Sequence, residues 1–316
     1  MRRPPLNPAL LGLSSLLIAA EASAETQITS ARTTAVATST AADGAADDVT
    51  ITSDGSITLD GGVAVTLDSD NAVVNAGTIT IEDADGAVGV SAQGGRTGPI
   101  TNSGAIVIDE TTDIEDTDED GDYDGPFATG ANRYGIRITG DEPFNGSIVN
   151  SGSITVEGED SAGVSIETDL SGAIDSSGTI AVTGDRSVGL RATGTVTGDV
   201  SLTGTISAVG EDAQGVDLQG LVGGTVTIQG SITSTGYRST SRSSDEDVLE
   251  ALDSDDLLQG GAALTISGDV QGGVLLDIPP SDDDEDVDDE DGDGVDDDEE
   301  GTAYVTSYGA APAIEI

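Results

Sequence analysis

The sequence predicts an all-β fold, a right-handed parallel β-helix solenoid, and three observations predict it. A Gly-x-Ile-x-Val phrase recurs along the chain, and its last four occurrences, at Gly152, Gly178, Gly204 and Gly230, are spaced by 26 residues. Within each repeat apolar and polar residues alternate, as in Ile154/Val156 and Val164/Ile166, which is the period of a strand with one buried face. The 316 residues include 44 Gly but only five Tyr, two Phe and no Trp. Any core must therefore be thin enough for Val, Ile, Leu and Ala to fill.

The repeat carries three apolar phrases. The Gly-x-Ile phrase begins at Gly77, Gly104, Gly152, Gly178, Gly204 and Gly230; a second runs Val90, Ile136, Val164, Leu190, Val216, Leu264; a third runs Ile100, Ile148, Ile174, Val200, Val226, Val274. Three short strands cannot close a core by themselves, so each unit must stack on the next and each phrase must build one parallel sheet. About eight such coils, with rungs about 4.8 Å apart, make a rod on the order of 40 Å long. Glycines are expected at the corners, where a sharp turn asks for positive φ.

In chain order, Met1-Arg2-Arg3, the apolar run Leu10 to Ala20 and the small residues Ala22 and Ala24 read as a secretory signal over residues 1–24. Residues 25–50, rich in Thr, Ala and Ser, show no coil pattern and are expected to be loose. Residues 51–278 hold the β-helix, interrupted at 109–132 and 236–261, both after a Gly-x-Ile strand; the second interruption would include a short helix around Asp247 to Leu258. Residues 279–300 are an acidic insertion, and 301–316 restart the strand phrases as an incomplete last coil, with Ile314 and Ile316 in inward places. Stacking also predicts a ladder of Asn75, Asn102 and Asn150, and places Arg186 between Asp160 and Asp212.

The chemistry is bounded by charge and by missing residue types. A formal charge of −50 repels nucleic acid and anionic lipid, and favours divalent cations. With no His, no Cys and no Lys the chain lacks the usual nucleophile–base pairs and a Schiff-base amine, so a non-enzymatic role is expected. Asp289, Asp291, Asp293, Gly294 and Glu300 fit the twelve-position calcium loop, in which carboxylates at alternate positions around a Gly turn converge on one Ca2+. Asp120, Asp122, Asp124 and Gly125 fit its first half, with Ala131 where the closing Glu would stand. A solvated acidic insertion satisfies the same pattern. Paired carboxylates, with Tyr123, Phe127 and Tyr134 near the first insertion, leave a secreted polysaccharide-active enzyme as the alternative, and a calcium-binding surface-layer component as a third.

The segments "LLGLSSLLIAAEASA", "VNAGTITIEDADGAVGVSAQ", "IVNSGSITVEGEDSAGVSIET" and "VTSYGAAPAIEI" resemble the passenger region of bacterial autotransporters over about residues 45–316. The resemblance implies export to the cell surface, outer membrane or medium, a structural or adhesive rod, a host or surface ligand, and an outer-membrane β-barrel translocator as partner. No barrel-like series of alternating ten-residue strands follows Ile278, and the mature chain has no apolar run long enough for a membrane helix.

Overall fold

The computed structural model describes residues 25–111, 126–236, 244–252, 254, 256–278 and 301–316. They form a right-handed parallel β-solenoid whose nine rungs enclose eight turns, with three parallel sheets of nine strands each. One coil shows the plan. Ile148–Asn150 belongs to the first sheet, Ser153–Glu157 to the second and Ala162–Ile166 to the third. Each then repeats one rung on, at Ile174–Ser176, Thr179–Thr183 and Val188–Ala192. A two-strand strip, Phe144–Asn145 beside Leu170–Ser171, forms a fourth side, which single parallel bridges continue through Thr97 on one side and Val196, Val222 and Val270 on the other.

The register is that of the sequence repeat. Ile79 lies opposite Ile106, Ile106 opposite Ile154, and Ile154, Ile180, Ile206 and Ile232 follow in one column. All six are at most 1% exposed. Alternation therefore puts every second side chain of the second sheet into a continuous aliphatic tube and leaves the others in solvent. Full burial of one such side chain stabilises by roughly 1.5–3 kcal/mol, so the column is a principal source of stability.

Glycine holds its places mainly for a reason other than the one expected. The Gly-x-Ile glycines are not at positive φ; a Cβ on Gly178 would lie 2.0 Å from Gly152 O, because the coils pass backbone against backbone at this corner. In the third sheet Gly89, Gly135, Gly163, Gly189 and Gly215 make room for the isoleucine column: a Cβ on Gly163 would meet Ile180 Cγ2 at 2.3 Å. The left-handed corner is filled largely by other residues, Asp83, Asn132, Asp160, Arg186 and Asp212, at φ between 49° and 59° together with Asp43. Asp and Asn tolerate that region because their short side chains bond locally.

The segment expected to be loose, residues 25–50, is the first rung instead. Thr26–Ile28, Ala31–Arg32 and Val36–Ala37 pair in parallel with Val49–Ile51, Ser56–Leu59 and Val63–Leu67. Its strands are two or three residues long, and Arg32 stands in register with the buried Ile57, so the hydrophobic phrase is masked. The Arg32 guanidinium turns back to donate to Thr34 O at 2.8 Å and Ala35 O at 3.0 Å.

The last rung comprises Val274–Leu276, Tyr304–Tyr308 and Ile314–Glu315, paired to the rung below. The short helix spans Glu246–Ala251, where Asp245 caps it by accepting from Asp247 N at 3.1 Å.

Candidate functional site

The described residues that could do chemistry gather where the first insertion leaves and rejoins the rod. The chain departs after the strand Ala105–Asp109 and returns to the strand Tyr134–Thr139. Arg133, only 2% exposed, sits at the return, and its Nη1 lies 2.8 Å from Glu110 Oε2, whose side chain is 4% exposed. Arg133 also donates to Glu157 O at 2.8 Å and Ala84 O at 3.0 Å. A buried ion pair survives desolvation only when its remaining valences are satisfied. Glu110 meets that condition by accepting from the amides of Thr129 and Gly130, so both ends of the insertion are fastened to one carboxylate.

Around this clasp lies a cavity of about 270 Å³ lined by Asp83, Asp85, Glu110, Thr129, Gly130 and Arg133. Asp83 accepts from the amide and hydroxyl of Thr111, each at 2.8 Å, and Asp85 accepts from Ala131 N at 2.9 Å. The Thr111 bonds hold the Asp83 carboxyl below its ordinary pKa. Burial works against Glu110, but the Thr129, Gly130 and Arg133 donors outweigh it and hold that carboxyl low as well.

Behind the clasp the order reverses. Glu82 and Asp109 are opposite each other in register, and Glu157 follows Val156, the partner of Ile108, so carboxylates from three consecutive rungs come close together here. Burial, then the charges of Glu82 and Asp83, push the Asp109 carboxyl up; burial, then Asp109 and Glu110, do the same to Glu157. Asp109 Oδ1 is buried without a hydrogen-bond partner. This corner thus holds carboxylates tuned in opposite directions within a few residues, a pattern common at functional sites and also produced by structural ion pairs.

A second polar strip lies on the outer face of the third sheet. Arg137 forms a bidentate pair with Glu167 at 2.7 and 3.0 Å and covers the Tyr134 ring at 4.2 Å; Arg191 lies 3.6 Å from Asp217. Tyr134 is thereby 7% exposed and offers no open sugar platform, while Phe127 is half-buried. Arg186 pairs with Asp160 at 2.8 Å and Glu159 at 3.1 Å, on the rung below it, and no bond from it to Asp212 is formed.

The calcium-loop residues Asp289, Asp291, Asp293 and Glu300, and Asp120, Asp122 and Asp124, lie outside the described residues, as do residues 1–24. Among the described residues no group of three or more Asp or Glu is placed to hold a metal ion, and no helix is long and apolar enough to cross a membrane. Sequence reasoning missed the Arg133–Glu110 clasp because the insertion breaks the 26-residue register there. The strip was accessible: Ser165, Arg191 and Asp217 are 26 apart.

A family model described as the BigA third pectate lyase-like domain matches residues 14–201. No curated protein and no solved structure matches the chain.

Proposed function

This chain belongs to the family of the BigA third pectate lyase-like domain, and from that premise we propose that it is an exported surface rod, a passenger of the autotransporter kind, that displays its insertions for structural or adhesive contact. The observation that carries the reading is the unbroken isoleucine column, Ile79 to Ile232, running past the point where the first insertion is clasped. The rod keeps its register while long segments leave it, which is how solenoids present binding loops. A chain without His, Cys or Lys has few of the side chains that nucleophilic or acid–base catalysis commonly uses. Its partner in this reading is an outer-membrane β-barrel translocator. Fused to such a barrel, the chain should become accessible to antibody on intact cells and increase their attachment to a surface. A chain that stays inside, or that reaches the surface and changes no attachment, overturns the reading.

Calcium belongs to the same proposal: Asp289, Asp291, Asp293 and Glu300 would hold the ion. Titrating the full chain with Ca2+ should give saturable heat that Asp291→Asn with Asp293→Asn removes, and unchanged heat ends the calcium part alone.

The family description and the charged cavity at Arg133 favour one second reading, a polysaccharide-active β-helix. Incubation with an acidic polysaccharide, followed by chain length, separates the two. Shortening of the polymer replaces the display reading with the enzymatic one.

A further inference from the structure

Like charges directly opposite one another across parallel strands are destabilising, yet Asp109 stands opposite Glu82 in register, and Glu157, which follows the partner of Ile108 on the rung above, lies close enough to feel the Asp109 charge. The cluster lies against the clasp, since the amide of Glu110 donates to Glu157 Oε2 at 3.3 Å. The charged groups facing Asp109 are Glu82 and Asp83 from the rung below, Glu157 from the rung above, Glu110 next in the chain, and the Arg133 guanidinium. That guanidinium is committed to Glu110, Ala84 O and Glu157 O. Asp109 Oδ1 is buried without a hydrogen-bond partner, and a buried acceptor without a donor is costly when it carries charge.

We propose that the cluster of Glu82, Asp109 and Glu157 is a proton-operated joint, which takes up a proton as pH falls and draws the two ends of the first insertion more firmly onto the rod. A proton on Asp109 removes the charge from the orphaned oxygen and the repulsion from both neighbours at once. The sign follows from the direction of each shift. Asp109 and Glu157 are raised, so ionising them costs the folded state stability at neutral pH, and that cost vanishes as pH falls through their folded-state pKa values. Glu110 is lowered, so its contribution is present above the ordinary carboxylate range and is lost only on further acidification through its own folded-state value. Between the two lies a window in which the joint is tighter than at neutrality. The inference is independent of what the insertion displays.

Hydrogen exchange on the full chain tests it. After correction for the intrinsic pH dependence, the amides of Glu110, Thr129 and Gly130 should exchange several-fold more slowly in mildly acidic buffer than at neutral pH. Amides of the distant Ile206 rung should not change. In Asp109→Asn protection should be high at both pH values and the dependence lost. Should that variant fold poorly, Glu82→Gln, at an exposed position, should move the onset of protection to lower pH. Protection that stays flat or falls on mild acidification in the wild type, or that rises equally in Asp109→Asn, overturns the proposal.

Discussion

A single buried amide column shows how much one residue decides. Asn75 Nδ2 donates to Asn102 Oδ1 and Asn102 Nδ2 to Asn150 Oδ1, each at 2.8 Å, and Asn150 continues to Ser176 Oγ at 3.5 Å; the three asparagines are 1% exposed. The column then turns to hydrocarbon at Leu202 and Ile228, at the same register position. The place accepts either chemistry when filled consistently. Asn102→Ala should therefore cost about 1–3 kcal/mol, because it orphans groups on two rungs, whereas changing Asn75, Asn102 and Asn150 together to Leu should cost much less than three such losses, since the amides no longer need one another and only their bonds with Gly77 N and the carbonyls of Ala105, Ser153 and Thr179 are forfeited. Urea unfolding of the two variants checks this, and a triple-variant loss of three times the single one would assign the column a role other than mutual satisfaction. Arg186 behaves differently: its pairs with Asp160 and Glu159 are solvent-exposed, and pairs of that kind contribute roughly 0–1 kcal/mol.

Among elements, the third sheet presents a glycine to the isoleucine column on five successive rungs, Gly89 to Gly215, with the buried Ala64 and Ala263 in that place on the rungs beside them. Gly163 lies between Ile180 Cγ2 and Gly189 O, which an added Cβ would approach to 2.3 and 2.6 Å. Neither can withdraw without moving a stacked strand, so Gly163→Ala should cost on the order of 1–3 kcal/mol, as overpacked cores do. Thermal unfolding measures it, with Gly62→Ala as the contrast: nothing lies within 4 Å there, and only its positive φ of 81° opposes the change. These elements also mark what the sequence made legible. Repeats with full Ile and Val phrases fixed three sheets and their register, because alternation and a constant step each carry a physical requirement. The first rung was hidden where Thr and Ala fill strands of two or three residues and Arg32 takes an inward place. The clasp was hidden because Glu110 and Arg133 are brought together across an insertion, by donors on Thr129 and Gly130 that no side-chain pattern announces.

For the whole molecule, neighbour-only contact makes length an adjustable property. Each coil of a solenoid touches the coils beside it, so stability is close to a sum of coil and interface contributions. Removing residues 178–203, one repeat of 26, joins Ser177 to Gly204 and brings Ile206 onto Ile154, Val216 onto Val164 and Val200's successor Val226 onto Ile174. Every inward place is still filled by an aliphatic residue, and Gly163 then faces Ile206 in place of Ile180. The shortened chain should fold cooperatively, keep its strand signal per residue in circular dichroism, and lose about 4.8 Å from its long dimension in solution scattering. Removing half a repeat, residues 178–190, should not be tolerated, because it presents corner residues to the isoleucine column and turns aliphatic side chains outward, the penalty of a register slip. If the half-repeat deletion folds as well as the full one, the rungs are not held by their side-chain columns, and the display of insertions from a rigid rod loses its physical basis.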